Sequence, residues 1–198
     1  VDRLVGSEMC IRDSIQMLNI LENLDIDKFQ HNSEKYLMNL ISAMDYAFFD
    51  RAKYLGDPDF FSVPQELLIS KQYAKDISIK IKNKEELQKI KITVSESEET
   101  THFSIVDKWG NAVSNTYTLN TAYGSGIVPT GTGILMNNEM DDFSSKPGYP
   151  NVYGLIGSEA NKIEPKKTPL SSMTPVIVFK EDKPFLVTGS PGGSTIIT

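Results

Sequence analysis

The chain has 198 residues, of which 39% are hydrophobic and 23% charged, and this length suits one domain with a substantial core. No apolar run approaches the ~18 residues that cross a bilayer, so the composition is that of a soluble globular protein without a membrane span. The net charge of -6, with Lys and Arg scattered among Asp and Glu, excludes the basic surface that a nucleic-acid partner requires.

The first fourteen residues, VDRLVGSEMCIRDS, lack both the apolar segment and the small-residue cleavage site of a signal peptide. They look like translated sequencing-adaptor DNA of the kind seen at the ends of environmental gene fragments. The alternative is a genuine but disordered N-terminus. Both interpretations predict that residues 1–14 lie outside the fold, and the first also makes Cys10 part of the artefact.

Hydrophobic periodicity predicts helices in the first part of the chain. They are expected over 15–24, from an N-cap at Ser33 to about Gly56, over 65–68 and over 71–81. The charged segment 83–99 has no sustained period and is predicted to be an exposed linker.

From Thr101 the period becomes that of strands, with a turn at 108–111 between them, which predicts a β-hairpin whose second strand reaches Leu119. Further strands are expected at 134–136, 176–179 and 185–187, whereas the Gly- and Pro-rich segments 124–133 and 146–167 are predicted loops. Helices followed by strands indicate an α+β fold.

Thr100 follows the acidic end of the linker, directly before the first strand. A Thr hydroxyl is a weak nucleophile, but an N-terminal Thr carries its own base, an α-amine with a pKa of ~8. A hairpin turn centred on Trp109 pairs residues whose numbers sum to 218, so Thr118 should face Thr100. Asn120 would then project from the same face as Thr118, where it could hold the amine or a substrate.

Three further groups could form a site with Thr100. The paired glycines Gly192 and Gly193 allow backbone amides to converge on an anion, and the carboxylates of Glu139 and Asp142 suit an ammonium group. Standing alone, each pattern also fits an ordinary role: strand residues for the threonines, a tight turn for the glycines and solvated loop acids. His102 is assigned no role, and with only two histidines and one cysteine, no metal site is predicted.

Four motifs occur in order: ETTHFS at 99–104, NNEMDDF at 137–143, PLSSM at 169–173 and GSPGGS at 189–194. Together they resemble the γ-glutamyltransferase (γ-glutamyltranspeptidase) family of N-terminal nucleophile hydrolases. The resemblance implies a four-layer αββα sandwich, here truncated at both ends. It implies that residues 15–99 end the large subunit and that residues 100–198 form the first half of the small subunit of one precursor.

The resemblance also assigns roles. Autocatalytic cleavage between Glu99 and Thr100 would expose the nucleophile, and Gly192 and Gly193 would form the oxyanion hole. The substrate's α-amino group would be bound by Glu139 and Asp142, its α-carboxylate by Ser171 and Ser172, and a lid loop at 147–158 would contain Tyr153.

The implied reaction transfers the γ-glutamyl group of glutathione or a similar compound to water or an amino acid, without metal or organic cofactor. The implied location is the periplasm or the medium, and the implied partner is the other subunit of a heterodimer. Two alternatives remain: a related acylase acting on glutaryl or other amides, and an uncleaved, non-enzymatic relative. Glu139 and Asp142 disfavour the acylase, since a glutaryl group has no amine.

Overall fold

The structure is a computed structural model that describes residues 3–6, 8–85, 87, 100–193 and 196. Its helices are α1 (Glu8–Asn23), α2 (Glu34–Tyr54), α3 (Gln65–Leu68) and α4 (Lys71–Lys82). Its strands are β1 (Arg3–Gly6), β2 (Thr101–Val106), β3 (Ala112–Tyr117), β4 (Val176–Lys180) and β5 (Lys183–Thr188). Apart from β1, the helices precede the strands, and all paired strands are antiparallel, which confirms the predicted α+β class.

The helical part is built on side-chain caps and an apolar core. Ser33 and Ser70 cap α2 and α4, where their hydroxyl oxygens accept hydrogen bonds from the backbone amides of Tyr36 (3.3 Å) and Tyr73 (3.1 Å). Such caps satisfy amides that the first helical turn leaves unpaired. Helices α1, α2 and α4 pack together through six buried residues: Ile20, Leu24, Ala43, Tyr46, Ala74 and Ile77.

The structure differs from the expectation that residues 1–14 lie outside the fold. Arg3–Gly6 pair with β4 in an antiparallel ladder, and α1 already begins at Glu8. Asp13 is buried and accepts a hydrogen bond from Arg51 at 2.6 Å. Burial raises the pKa of Asp13, and the guanidinium of Arg51 opposes that rise. Backbone pairing and a buried ion pair therefore attach this segment to the rest of the protein.

The β-hairpin has the predicted register. Thr101 pairs with Tyr117, and Val106 pairs with Ala112, so the paired numbers sum to 218. A second sheet has the order β1-β4-β5. The two sheets meet where the hydroxyl of Ser114 donates to the carbonyl oxygen of Thr188 at 2.8 Å, a contact that orients the chain leading to Gly192 and Gly193.

Two strand predictions are wrong. Residues 134–136 form no strand, because their pairing is limited to a few hydrogen bonds with a neighbouring loop, such as that from Met136 N to Ile127 O at 2.9 Å. Strand β3 ends at Tyr117, before Leu119. The predicted linker at 83–99 lies outside the described residues except for 83–85 and Leu87. In the described part of the chain no helix is long and apolar enough to span a bilayer.

Candidate active site

A cavity of about 400 Å³ lies between the C-terminal end of α2, the start of β2 and the loops of the second half of the chain. This volume is within the range of small-molecule sites. Most predicted site residues line the cavity: Thr100, Thr118, Asn120, Glu139, Asp142, Tyr153, Ser171, Ser172 and Gly193. The structure therefore brings together residues that are up to 93 positions apart in sequence.

Thr100 and Thr118 face each other at the open end of the hairpin, opposite its turn. Their hydroxyl oxygens are 3.4 Å apart, and Thr100 is only 7% exposed. The oxygen of Thr118 also accepts a hydrogen bond from the backbone amide of Asn120 at 2.9 Å. This amide fixes the position of the Thr118 hydroxyl, which in turn orients the hydroxyl of Thr100.

Asn120 redirects the chain after β3. Its φ of 78° lies in the left-handed region, which Asn tolerates better than other residues with a side chain. The side-chain amide donates to the carbonyl of Asn138 at 3.2 Å. The hydroxyl of Tyr153 lies 2.5 Å from the Asn120 carbonyl oxygen and 2.8 Å from its Oδ1. Tyr153 is buried, so the predicted lid residue packs against Asn120 beside the cavity.

Glu139 and Asp142 occupy the two ends of one 3₁₀ turn, Glu139–Asp142. Residues i and i+3 of a 3₁₀ helix lie on the same side, so the two carboxyl groups come together. Burial, followed by the hydrogen bond and the charge of Glu139, raises the pKa of Asp142 to about 8. The nearby Arg51 opposes this rise. The proximity of the two carboxyl groups thus favours the protonated form of Asp142, which shares a hydrogen bond with Glu139.

Arg51 is a site residue that was missed in the sequence analysis. Its guanidinium donates to the backbone carbonyl of Ser171 at 2.7 Å and lies 3.1 Å from the hydroxyl of Ser172. The sequence contains a pattern that indicates a buried role for Arg51, because Arg51 lies three residues after Phe48 on the apolar stripe of α2. A charged residue at a core-facing position usually has a buried partner.

The loop at 168–172, here called the serine loop because it contains Ser171 and Ser172, has a second contact with the helical part of the protein. The backbone amide of Thr168 donates to the carboxylate of Asp57 at 2.7 Å. This hydrogen bond and another from the amide of Asp59 lower the pKa of Asp57. In the sequence, Asp57-Pro58-Asp59 is typical of a turn, and no local pattern indicates its partner, which is 111 residues away.

The glycine turn is described up to Gly193. Gly192 and Gly193 have φ values of 141° and 57°, which favour glycine. Gly193 borders the cavity, whereas Gly192 is not among the lining residues. Glu99 lies outside the described residues, so the predicted cleavage junction is described only on its Thr100 side. Among the residues that the structure does describe, no group of three or more His, Cys, Asp or Glu could hold a metal ion.

The sequence profile of the family described as Gamma-glutamyltranspeptidase matches residues 8–198. The glutathione hydrolase proenzyme of Escherichia coli (strain K12) is 54% identical over 189 residues, which cover 93% of this chain and 33% of that relative. The glutathione hydrolase proenzyme of Pseudomonas sp. (strain A14) is 49% identical over 187 residues, covering 92% and 32%. The chain thus spans about a third of the length of these curated relatives.

A solved structure supports the fold. The cephalosporin acylase from Bacillus halodurans is similar with a TM-score of 0.69 and 25% sequence identity, and the match covers 94% of this chain and 32% of that one. This similarity confirms the expected N-terminal nucleophile hydrolase fold. Since the family profile matches nearly the whole chain, and a relative covering 93% of it is 54% identical, the chain belongs to the γ-glutamyltranspeptidase family.

Proposed function

We propose that this chain carries the junction between the large and small subunits of an enzyme that transfers or hydrolyses γ-glutamyl groups, with Thr100 as the nucleophile. The observation that carries the proposal is one cavity bounded by the Thr100–Thr118 pair, the acid pair Glu139 and Asp142, and the serine loop. In this assignment residues 15–99 end the large subunit and residues 100–198 begin the small one.

Maturation begins when the Thr100 hydroxyl attacks the carbonyl carbon of Glu99. The peptide C–N bond breaks as the acyl group moves to the hydroxyl oxygen, and the nitrogen takes up a proton to become the α-amine of Thr100. Water then hydrolyses the ester, which leaves a carboxylate on Glu99 and restores the hydroxyl. The freed amine is the general base that the isolated Thr hydroxyl lacks.

In turnover, Thr100 attacks the γ-carbonyl of the substrate, and its proton passes through the α-amine to the departing amine. The product of this step is a γ-glutamyl ester on Thr100. Water or the amino group of an acceptor then attacks the ester and releases the γ-glutamyl group. Backbone amides at Gly192 and Gly193 are suited to stabilise the oxyanion in both steps, and one such donor typically contributes ~3 kcal/mol.

Recognition uses the two charged groups on the glutamyl α-carbon, the ammonium and the carboxylate. The substrate ammonium pairs with Asp142 and Glu139, and the α-carboxylate accepts hydrogen bonds from Ser171 and Ser172. Arg51 adds a positive charge behind the serines, because its guanidinium contacts both of them. An ammonium in the site favours the ionised form of Asp142, so substrate binding lowers the pKa of that carboxyl group.

Glutathione is the proposed substrate, because two relatives described above are named glutathione hydrolase proenzymes. The acceptor is water or an amino acid. By resemblance to bacterial family members, the site of action is the periplasm or the medium, and the two subunits of the precursor form a heterodimer.

An amide acylase is the second candidate, since the matched solved structure is a cephalosporin acylase. A glutaryl substrate has no ammonium for the half-buried acid pair to bind. The rate ratio between γ-glutamyl anilide and glutaryl anilide separates these candidates: a ratio well above one supports γ-glutamyl transfer, and a ratio below one supports the acylase.

The proposed nucleophile is tested in the full-length precursor that carries this segment. We expect intact-mass analysis to show a small subunit that begins TTHFSIVD, and we expect Thr100→Ala to remain uncut and inactive. Thr101→Ala is the matched control, because Thr101 is an exposed hydroxyl residue next to the site and should still be cleaved before residue 100. A mature chain that starts elsewhere contradicts the assignment of Thr100, and a single uncut wild-type chain supports the non-enzymatic alternative.

A further inference from the structure

Asn161 lies between the two groups of residues that recognise the substrate. It ends the short 3₁₀ turn Glu159–Asn161, is only 6% exposed and lines the cavity. Nothing in the sequence patterns singled it out, because it lies within the Gly- and Pro-rich loop at 146–167.

The side-chain amide of Asn161 joins the two recognition loops. Its Nδ2 donates to the backbone carbonyl of Asp142 at 2.6 Å, and its Oδ1 accepts from the backbone amide of Leu170 at 3.0 Å. One contact is next to the acid pair, and the other immediately precedes Ser171. An amide offers both a donor and an acceptor, whereas a carboxylate offers only acceptors and an aliphatic side chain neither.

The turn that carries Asn161 rests on the helical part of the protein. Gly56 approaches it so closely that a Cβ there would lie 2.1 Å from the carbonyl oxygen of Ala160. The hydroxyl of Ser158 donates to the carbonyl of Lys53 at 3.0 Å, and the backbone carbonyl of Asn161 accepts from the amide of Ser144 at 2.8 Å. These backbone and neighbouring contacts do not need the Asn161 side chain, so its removal should leave the turn in place.

We propose that Asn161 is a positioning residue that fixes the distance between the ammonium subsite and the carboxylate subsite. This inference rests on the proposed γ-glutamyl function. The amino and carboxylate groups of the substrate are attached to one α-carbon. The two subsites can therefore bind them at the same time only when the two loops stay at one fixed distance. Holding the loops at this distance before the substrate binds reduces the conformational ordering that binding must otherwise impose.

The proposal predicts a loss that depends on the ligand carrying both groups. L-Glutamate has the α-amine and the α-carboxylate, whereas 4-aminobutyrate keeps the amine and the side-chain carboxylate but lacks the α-carboxylate. In the full-length precursor, Asn161→Ala should raise the KM for γ-glutamyl anilide about tenfold with little change in kcat. It should raise the inhibition constant of L-glutamate by a similar factor and that of 4-aminobutyrate less than about twofold.

Asn161→Asp is the second variant, because it keeps the shape and the acceptor for Leu170 but loses the donor for Asp142. It should raise the KM at least as much as Asn161→Ala. Asn19→Ala is the matched control: Asn19 is also buried, and its side chain donates to the carbonyl of Ile69 at 2.8 Å, where neither residue lines the cavity. This control should lower the melting temperature without changing the ratio of the two inhibition constants.

Two results would overturn the role of Asn161. Either the two inhibition constants rise by the same factor in the Asn161 variants, or the control changes their ratio as much as those variants do. A wild-type precursor that is cleaved but does not hydrolyse γ-glutamyl anilide instead refutes the proposed function. The wild-type measurement therefore separates failure of the function from failure of this inference.

Discussion

The helical and β-rich parts of the protein are held together by different interactions. Helices α1, α2 and α4 share a contiguous apolar core around Ile20 and Ile77. In the second half, large apolar side chains of the hairpin such as Phe103 and Ile105 are exposed in the described structure. The loops around the cavity are connected there by buried polar side chains, including those of Asn120 and Asn161. Apolar packing stabilises the first part, while hydrogen bonds give the second its shape.

This difference implies that stability and substrate recognition can be changed separately. Substitutions in the helical core should lower the free energy of unfolding and leave substrate preference intact. Substitutions of polar residues at the cavity should change substrate recognition, and they should affect stability mainly through pH-dependent ionisation. Three measurements test the separation.

The largest expected effect is at Asp142. In the full-length precursor, Asp142→Ala should leave cleavage before Thr100 intact while the hydrolysis of γ-glutamyl anilide collapses. Loss of the carboxylate leaves the substrate ammonium without its partner, at a cost of ~2 to 5 kcal/mol in transition-state stabilisation.

The assay compares kcat/KM of the variant with that of the wild type, alongside the fraction of cleaved chain on a gel. Asp141→Ala is the neighbouring control, since its carboxylate accepts a hydrogen bond from the backbone amide of Val152 and is not assigned to the ammonium. Unchanged kcat/KM in Asp142→Ala would show that this carboxyl group does not bind the substrate.

An intermediate effect is expected in the helical core. Ile20 is fully buried, so Ile20→Ala should lower the free energy of unfolding by ~2 to 5 kcal/mol through lost packing and a cavity. Leu18 lies on the same helix with 59% exposure, so Leu18→Ala should cost less than ~1 kcal/mol.

Denaturant melts of both variants measure these differences, and the KM for γ-glutamyl anilide should match the wild type in each. A change in KM for Ile20→Ala would mean that the core and the cavity are coupled, and the comparison of the two regions would fail.

The third effect is a pH dependence of stability. In the folded protein the pKa of Asp142 is raised to about 8, whereas its ordinary value is 3.8. Between these values the folded state binds more protons, so the contribution of Asp142 to stability falls as the pH rises. An Asn at this position does not titrate and avoids that loss.

Melting temperatures of the wild type and of Asp142→Asn, measured without substrate at pH 5, 6.5 and 8, should therefore diverge in favour of the variant as the pH rises. A difference that stays constant over this range would show that Asp142 titrates at its ordinary pKa in the folded protein.

Local patterns in the sequence were enough for α2, α3, α4 and the register of the hairpin, whereas α1 begins at Glu8, before the predicted start at residue 15. Ser33 marks the start of α2 through a cap made within four residues, and alternation around one turn gives the register that places Thr100 opposite Thr118. The partners of Arg51 and Asn161 could not be found in that way, although the position of Arg51 on the apolar stripe of α2 indicates a buried partner. Arg51 reaches Ser171 over 120 positions, and Asn161 acts from an irregular loop, so their roles depend on tertiary contacts that no period records.

The residues at 134–136 show a second limit. They are apolar, and Ile134 is β-branched, which suggests a strand. However, glycines with positive φ at Gly131 and Gly133 precede them, and the nearby loop offers too short a partner for a ladder. Strand propensity is realised only where another strand is available for pairing.

The contacts of Arg51 and Asp57 with the serine loop have a consequence for inheritance. If the chain is cut before Thr100, these side chains belong to one polypeptide, and Ser171, Ser172 and Thr168 belong to the other. Each polypeptide then holds part of the other's binding surface, and neither could be exchanged for a diverged copy without a matching change in its counterpart. Encoding both in a single reading frame supplies them in equal number and passes on compatible versions together.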